Sequence, residues 1–469
     1  MEIKFCGAAG YVTGSRHLLT TESGFKLLLD CGMYQGVGVN TYDMNASFLF
    51  DPKEIDAVVI SHAHIDHTGA LPRLVKLGFE GPIYCTPPTL DLCQIMLNDS
   101  AFIQKNDLKY LNERKKKRGE DLVEPLYDET DVEKVLSLMV AVDYHQRCIV
   151  NEELSFEYSD SAHIIGSAAV HVYYEEKKGD AKILTFTGDI GRPNDQILKD
   201  PETFVQSDYI ISESTYGDRL HEENIGRDEH LFEIVMDTCV HKKGKLIIPA
   251  FSIDRTQELI YSFDRMVSEG LLPHIPVYVD SPLSVKATNI TRKFRKYYNQ
   301  RLVDYLKTDK ENDAFDFPSL KYIGKVDESK ALNASDQPCI IISASGMAEA
   351  GRVKHHIRNN IENKNNTILL VGYCTPDSLG GRLKSGEKEV KIFGEMYQVK
   401  AGIRIMDSYS AHGDFNEMIQ YLSCQNTGKV RELFLVHGEP EVQKEFKKKL
   451  ENVGFSKVYI PRLGETVTI

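Results

Sequence analysis

Ala57-Val-Val-Ile-Ser61-His62-Ala-His64-Ile-Asp66-His67 is the stretch on which the reading of this chain turns. A short β-branched run delivers three imidazoles and a carboxylate within six residues. Imidazole and carboxylate suit zinc, and a cluster without cysteine points to a catalytic rather than a structural ion. His62 and His64 alternate as residues at a strand end do, so both rings can project to one side. Asp66 and His67 fall where the chain turns toward a helix expected over residues 71–77, and can face a second ion. Dispersed, 15 histidines in 469 residues would mean little; spacing carries the argument.

The length predicts two or three domains, and 42% hydrophobic with 27% charged residues is the composition of a soluble globular protein. There is no 18-residue apolar run to cross a membrane. The opening Met-Glu-Ile-Lys-Phe-Cys6 reads as strand-like alternation rather than a leader. Nine cysteines scattered from Cys6 to Cys424 with no C-x-x-C pair fit reduced thiols, hence a cytoplasmic protein. A net charge of −13 argues against a protein that coats nucleic acid non-specifically, although a local basic surface remains compatible with it. Two basic clusters exist, Arg114-Lys-Lys-Lys-Arg118 and the set Arg292, Lys293, Arg295 and Lys296. The first reads as the solvated end of a long helix starting near Thr89.

Over the first 200 residues short apolar strands (26–30, 57–60, 154–158, 170–174, 182–187) alternate with turns, and several end in a polar residue with glycine or histidine, as at Asp30-Cys-Gly32, Ser61-His62 and Gly188-Asp189. Strand ends that present carboxylates and imidazoles are where an α/β sheet assembles a site. From about residue 208 the pattern becomes buried parallel strands (209–213, 245–249, 277–280, 339–343, 367–371) with helices between them, as at 228–240 and 256–269. Residues 377–394 read as a loop and hairpin. Strands 403–407 and 432–436 then end in histidine segments again, which makes the middle block an insertion into one metal-binding domain.

More candidate ligands share this context. His163 lies in Asp160-Ser-Ala-His-Ile-Ile-Gly166, and Asp189 in Phe186-Thr-Gly-Asp-Ile-Gly191, whose glycines let the backbone approach closely. His437 follows the strand ending at Val436. A carboxylate such as Asp189 can bridge two zinc ions roughly 3.5–4 Å apart. Asp30 is better read as the acceptor that fixes a ligand imidazole's tautomer.

His62-x-His64-x-Asp66-His67 with Asp30, His163 and Asp189 resembles the metal signature of the metallo-β-lactamase fold. Later segments resemble its nucleic-acid-processing β-CASP branch. They include Glu213-Ser-Thr-Tyr-Gly217, Pro249-Ala-Phe-Ser-Ile-Asp-Arg255, Ser343-Ala-Ser-Gly-Met347, Ser410-Ala-His-Gly-Asp414 and Leu435-Val-His-Gly-Glu439. The resemblance implies an α/β fold, an αββα sandwich over residues 1–208 and 396–469 with a doubly wound α/β insert over 209–395. It implies one zinc on His62, His64 and His163, a second on Asp66, His67 and His437, and Asp189 bridging them. It also implies a water activated between the ions, His412 as general acid and Glu213 as its partner, with Asp66 and Asp30 supporting catalysis. A histidine at 437 goes with the RNA-processing members, so the expected substrate is single-stranded RNA and the expected activity that of a ribonuclease. Ser410, Ser345, Arg352 and His355 are candidate substrate contacts. The resemblance leaves room for a homodimer and calls for no obligate protein partner.

The sequence departs from the family pattern at Asp254, where glycine is expected, at Ala350, and in the loop 373–380. Rival readings are a small-molecule hydrolase of the same fold, a DNA-directed nuclease, and a catalytically silent RNA-binding scaffold. The first leaves the insert and the Glu213–His412 pair without work; the last predicts missing ligands, and none is missing.

Overall fold

The structure, a computed structural model, describes residues 1–36, 41–175, 181–221, 226–309, 311–372 and 374–469, and the side chains of 110, 111 and 114 lie outside the description. Arg114 of the first basic cluster and Tyr373 of the divergent loop are therefore set aside. Contacts divide the chain into two units. One comprises Met1–Asn194, Asp200–Leu220 and His412–Ile469, the other Asp195–Lys199 and His221–Ala411.

In the first unit two seven-stranded sheets face each other. One runs in the order Thr466–Thr468, Glu2–Phe5, His17–Thr20, Lys26–Leu29, Ala57–Val59, Ile83–Cys85, Met139–Ala141. The other runs Val458–Tyr459, Glu432–Leu435, Tyr209–Ser212, Ala181–Phe186, Ala168–Glu175, Leu154–Asp160, Cys148–Ile149. Alternate residues of both meet in one core, with Ile3, Phe5, Leu27, Leu29 and Val59 against Phe156, Val170, Val172, Phe186 and Ile211. Alternation sends Leu433 and Leu435 to the outer face of the second sheet, where Met418, Leu422, Phe446 and Leu450 of two helices bury them. Outside the first sheet, the helices Leu71–Lys76, Pro87–Arg118 and Glu129–Leu138 pack on one another. This is the αββα sandwich.

The long helix starts at Pro87, a residue pair before the expected Thr89, because the Thr86 hydroxyl accepts from the Thr89 amide and proline suits the first turn. It stops at Gly119, whose φ of 68° is the left-handed cap, and its last turn carries Lys115, Lys116, Lys117 and Arg118 where the helix dipole favours cations.

The second unit is built on six parallel strands, ordered Leu320–Tyr322, Val277–Val279, Cys339–Ser343, Lys245–Pro249, Thr367–Leu370, Gly402–Ile405. Helices such as Arg255–Ser268 and Arg352–Asn360 connect them; the inner strands Cys339–Ser343, Lys245–Pro249 and Thr367–Leu370 are buried along their whole length, while the edge strands Leu320–Tyr322 and Gly402–Ile405 are partly exposed. Residues 377–394 hold a short helix, Leu379–Lys384, before the hairpin of Glu389–Ile392 and Glu395–Gln398.

Two strands change sides relative to the expected boundaries at 208/209 and 395/396. Tyr209–Ser212, expected to open the insert, lies between Ala181–Phe186 and Glu432–Leu435 in the first unit, parallel to both. Gly402–Ile405, expected to belong with the metal domain, pairs with Thr367–Leu370 in the second. Tyr209–Ser212 is buried throughout, and burial on both faces erases the alternation that would mark its sheet, whereas Gly402–Ile405 is an edge strand with Arg404 exposed and is too short to declare its neighbour. Asp254 shows why glycine is expected there: its φ is 70° and ψ −68°, a conformation that costs a residue with a β-carbon.

Candidate metal centre

Six strand ends of the first unit carry the site. Lys26–Leu29 and Ala57–Val59 are parallel neighbours, as are Ala181–Phe186, Tyr209–Ser212 and Glu432–Leu435, so their carboxyl ends emerge on common edges. Asp30, His62, Asp189, Glu213 and His437 follow within three residues of those strands, and His163 follows Leu154–Asp160. The backbone turns sharply as it leaves. Asp30, Ala162, Gly188 and His437 all have φ between 51° and 58°. Left-handed φ at three non-glycine residues costs energy, and such strain collects at functional sites. The loops are locked together by close backbone passage: Gly191 donates to the Ser161 carbonyl at 2.8 Å, and a β-carbon on it would lie 1.9 Å from the Ala162 oxygen.

Two sets of donor atoms converge. In the first, His62 Nε2 and His163 Nε2 lie 3.1 and 3.2 Å from His64 Nδ1, and both lie 3.5 Å from Asp189 Oδ2. In the second, His67 Nε2 is 3.3 Å from His437 Nε2 and 3.3 Å from Asp189 Oδ1, while His437 Nε2 is 3.4 Å from Asp66 Oδ2. The two oxygens of Asp189 thus face different sets. A tetrahedral ion with bonds of about 2.0–2.1 Å sets its ligand atoms about 3.3 Å apart. The nearest pairs of both sets have that spacing, the second set being looser where His437 Nε2 lies 3.8 Å from Asp189 Oδ1 and His67 Nε2 3.9 Å from Asp66 Oδ2. Asp189 Oδ1 is buried and accepts no hydrogen bond among the described residues, which leaves an anionic oxygen in want of a cation.

Charge bears this out. Burial, then the neighbouring His67, drives His62 well below the usual histidine range; burial does the same to His163 and takes His64 down to about 4. Unprotonated imidazoles are the form that binds metal. Asp189 and Asp66 are buried too, which alone raises a carboxyl. The imidazoles around them win, His437 and His67 holding Asp189 well below its ordinary value and His67 then His437 lowering Asp66. His67 is raised: burial opposes, but Asp189, Asp30 and Asp66 surround it.

Backing groups fix the rings. Asp30 Oδ2 accepts from His67 Nδ1 at 2.6 Å, and Ser15, Ser61 and the Ser61 amide hold that carboxylate in turn. Thr215 Oγ1 stands 2.9 Å from His437 Nδ1, and Ser61 Oγ 3.1 Å from His62 Nδ1. The sequence reading found Asp30 but assigned no role to Ser61 or Thr215, although each adjoins or shares a motif it quoted.

Beside the cluster, His412 Nδ1 sits 3.1 Å from Glu213 Oε2, and its Nε2 lies 3.9 Å from Asp189 Oδ2. Glu213 is buried and also accepts from the amides of Ile190 and Thr215. Burial lowers His412, but Glu213 and then Asp189 outweigh it and push it up to about 9. The loop is held by Gly413 donating to the Ile190 carbonyl at 2.8 Å and by a capping box in which Asp414 and Glu417 exchange bonds. Glu417 also pairs with Arg192 at 3.1 Å, three residues beyond Asp189.

The four candidate substrate contacts fall in the second unit. Arg352 bonds Asp280 Oδ1 at 2.6 Å and the carbonyls of Ile323 and Gly324. Ser345 Oγ bonds within its own turn to Ala350, Ser410 is buried, and His355 is exposed.

Family models match three stretches: the metallo-beta-lactamase superfamily over residues 17–145, the Beta-Casp domain over 256–383, and the Zn-dependent metallo-hydrolase RNA specificity domain over 396–461. A ribonuclease of Thermus thermophilus is 32% identical over 470 residues, covering 100% of both chains. An RNase J-like protein of Methanocaldococcus jannaschii is 29% identical over 93% of this chain and 92% of its own. Integrator complex subunit 11 of Gallus gallus is 29% identical over 98% of this chain and 73% of its own.

Proposed function

The chain belongs to the β-CASP family of metallo-β-lactamase-fold hydrolases, and from that premise we infer a zinc-dependent ribonuclease that hydrolyses phosphodiester bonds of single-stranded RNA. His62, His64, His163 and Asp189 would hold one zinc ion, and Asp66, His67, His437 and Asp189 a second. Bound there, zinc lowers the pKa of water so that a nucleophile exists at neutral pH, and it offsets charge on the phosphate oxygens.

The chain's own groups do the rest. Asp189 and Asp66 put negative charge between and beside the two donor sets, while Asp30, Ser61 and Thr215 keep ring nitrogens aimed inward. His412 is the proton donor. Its Nδ1–H is committed to Glu213, which leaves the Nε2 proton on the side facing Asp189. As water adds to phosphorus and the bond to the leaving oxygen breaks, that proton passes to the leaving oxygen and completes the alcohol. The Glu213–His412 pair is the observation that carries this reading, because the donor sets alone would serve any hydrolase of the fold.

The test is His412→Ala, assayed on a single-stranded RNA oligonucleotide. The expected result is loss of cleavage by at least a hundredfold with zinc content unchanged. Full activity would remove His412 from the chemistry. Equal cleavage of the matching DNA strand would shift the substrate class, for which the RNA specificity domain at 396–461 and the named ribonuclease relative are the supports.

A further inference from the structure

The hairpin of Glu389–Ile392 and Glu395–Gln398 ends in an unusual turn. Its two central residues are Phe393 and Gly394, with φ of 51° and 93°. Two-residue hairpin turns need left-handed φ at both positions, which asparagine, aspartate or glycine meets at low cost. Phenylalanine meets it at a cost of about 1–2 kcal/mol, and with the residue 49% exposed only partial burial offsets that cost. The turn itself is anchored: Val390 and Ile392 point into the core with Ile361 and Leu383. A bulky aromatic is therefore held rigidly at the surface, against the local preference of the backbone.

Its surroundings are basic and aromatic. The His355 ring lies 4.6 Å from the Phe393 ring at 33°, and Lys354 Nζ and Arg358 Cζ lie 5.4 and 5.7 Å from its centroid. All three come from the helix Arg352–Asn360, and beside them the Phe393 ring stays half exposed. Glu349 stands 3.9 Å from Lys354, and Glu395 follows the turn but accepts from Tyr397 at 2.7 Å. An aromatic face with cations beside it is what stacks a nucleobase while the cations meet its phosphate.

We propose that Phe393, backed by His355 and flanked by Lys354 and Arg358, is a stacking platform for one base of single-stranded RNA. This rests on the ribonuclease reading and adds to it a binding subsite in the second unit that grips base and phosphate together. A stack of this kind is tolerant of base identity, since every base has a π-face.

The test compares wild type, Phe393→Asn and Phe393→Tyr. Asparagine fits the left-handed turn, so this variant is expected to melt no lower than wild type. Measured by fluorescence anisotropy, Phe393→Asn is expected to weaken single-stranded RNA binding by roughly 5- to 100-fold. Phe393→Tyr restores it, and kcat at saturating RNA stays unchanged. Hydrolysis of bis(4-nitrophenyl) phosphate, which carries no nucleobase to stack, reports the metal centre alone and is expected to be equal in all three. Unchanged RNA affinity in Phe393→Asn overturns the proposal. So does an equal loss on an abasic ribose-phosphate strand, which would make the contact purely electrostatic, or a change from dimer to monomer accompanying the loss, which would make the ring a contact between copies. Failure of the wild type to bind or cut RNA would instead bring down the ribonuclease reading, and this subsite with it.

Discussion

At the scale of single residues, most rings that offer a nitrogen to the centre are held on the far side by something else. His67 is held by Asp30, His437 by Thr215 and His62 by Ser61. Such backing sets the tautomer and typically accounts for 10- to 100-fold in metal affinity. Asp30→Asn is accordingly expected to weaken zinc binding about tenfold or more, read by competition with a chelator; unchanged affinity would make Asp30 a packing residue only. Thr215→Val keeps the shape and removes the oxygen beside His437 Nδ1. It is expected to loosen one ion and leave the other in place. His62 to His67 were legible because four ligands stand within six residues. Ser61 and Thr215 were not, because a hydroxyl has a dozen possible duties and only geometry says which it performs.

At the scale of elements, the strand ends were readable and the partners of the strands were not. The runs at 57–60, 182–187 and 432–436 each lead to a side chain of the candidate centre, His62, Asp189 and His437. Tyr209–Ser212 and Gly402–Ile405 changed units because four residues carry too little pattern to show which parallel sheet a strand joins. The capping box of Phe415–Leu422 positions the loop bearing His412. Asp414→Ala is expected to cost about 1 kcal/mol of stability and to lower kcat while zinc content holds. The strand Ala168–Glu175 carries a second kind of consequence. His171 is buried between Ser159 and Thr185, and burial, then His145 and Arg147, lowers it to about 4. Above pH 6.5 neither folded nor unfolded chain is charged there. Below it the unfolded chain takes up a proton that the folded one refuses, so stability falls between about pH 6.5 and pH 4, by up to about 3 kcal/mol. Melting temperature against pH is expected to drop over that window, and His171→Gln to flatten the drop. An unaltered slope in the variant would place the acid sensitivity elsewhere.

At the scale of the whole molecule, the centre is a closure of the first unit by distant parts of the chain. His67 and His437 stand 370 residues apart in sequence and 3.3 Å apart at their Nε2 atoms. The strand Glu2–Phe5 pairs with Thr466–Thr468 at the other end. Metal bound across that closure stabilises the folded state by mass action, so chelation is expected to lower the melting temperature and zinc to restore it. The architecture was legible in outline because ligands recur on both sides of an inserted block; the insert's limits and the substrate contacts were not, since loops that bind do so by placement. The central claim is that both ends of the chain complete one centre for two ions. Elemental analysis of purified wild type and His437→Ala tests it directly. Close to two zinc ions per chain are expected in the first and close to one in the second. One ion or none in the wild type, or two in the variant, would contradict it.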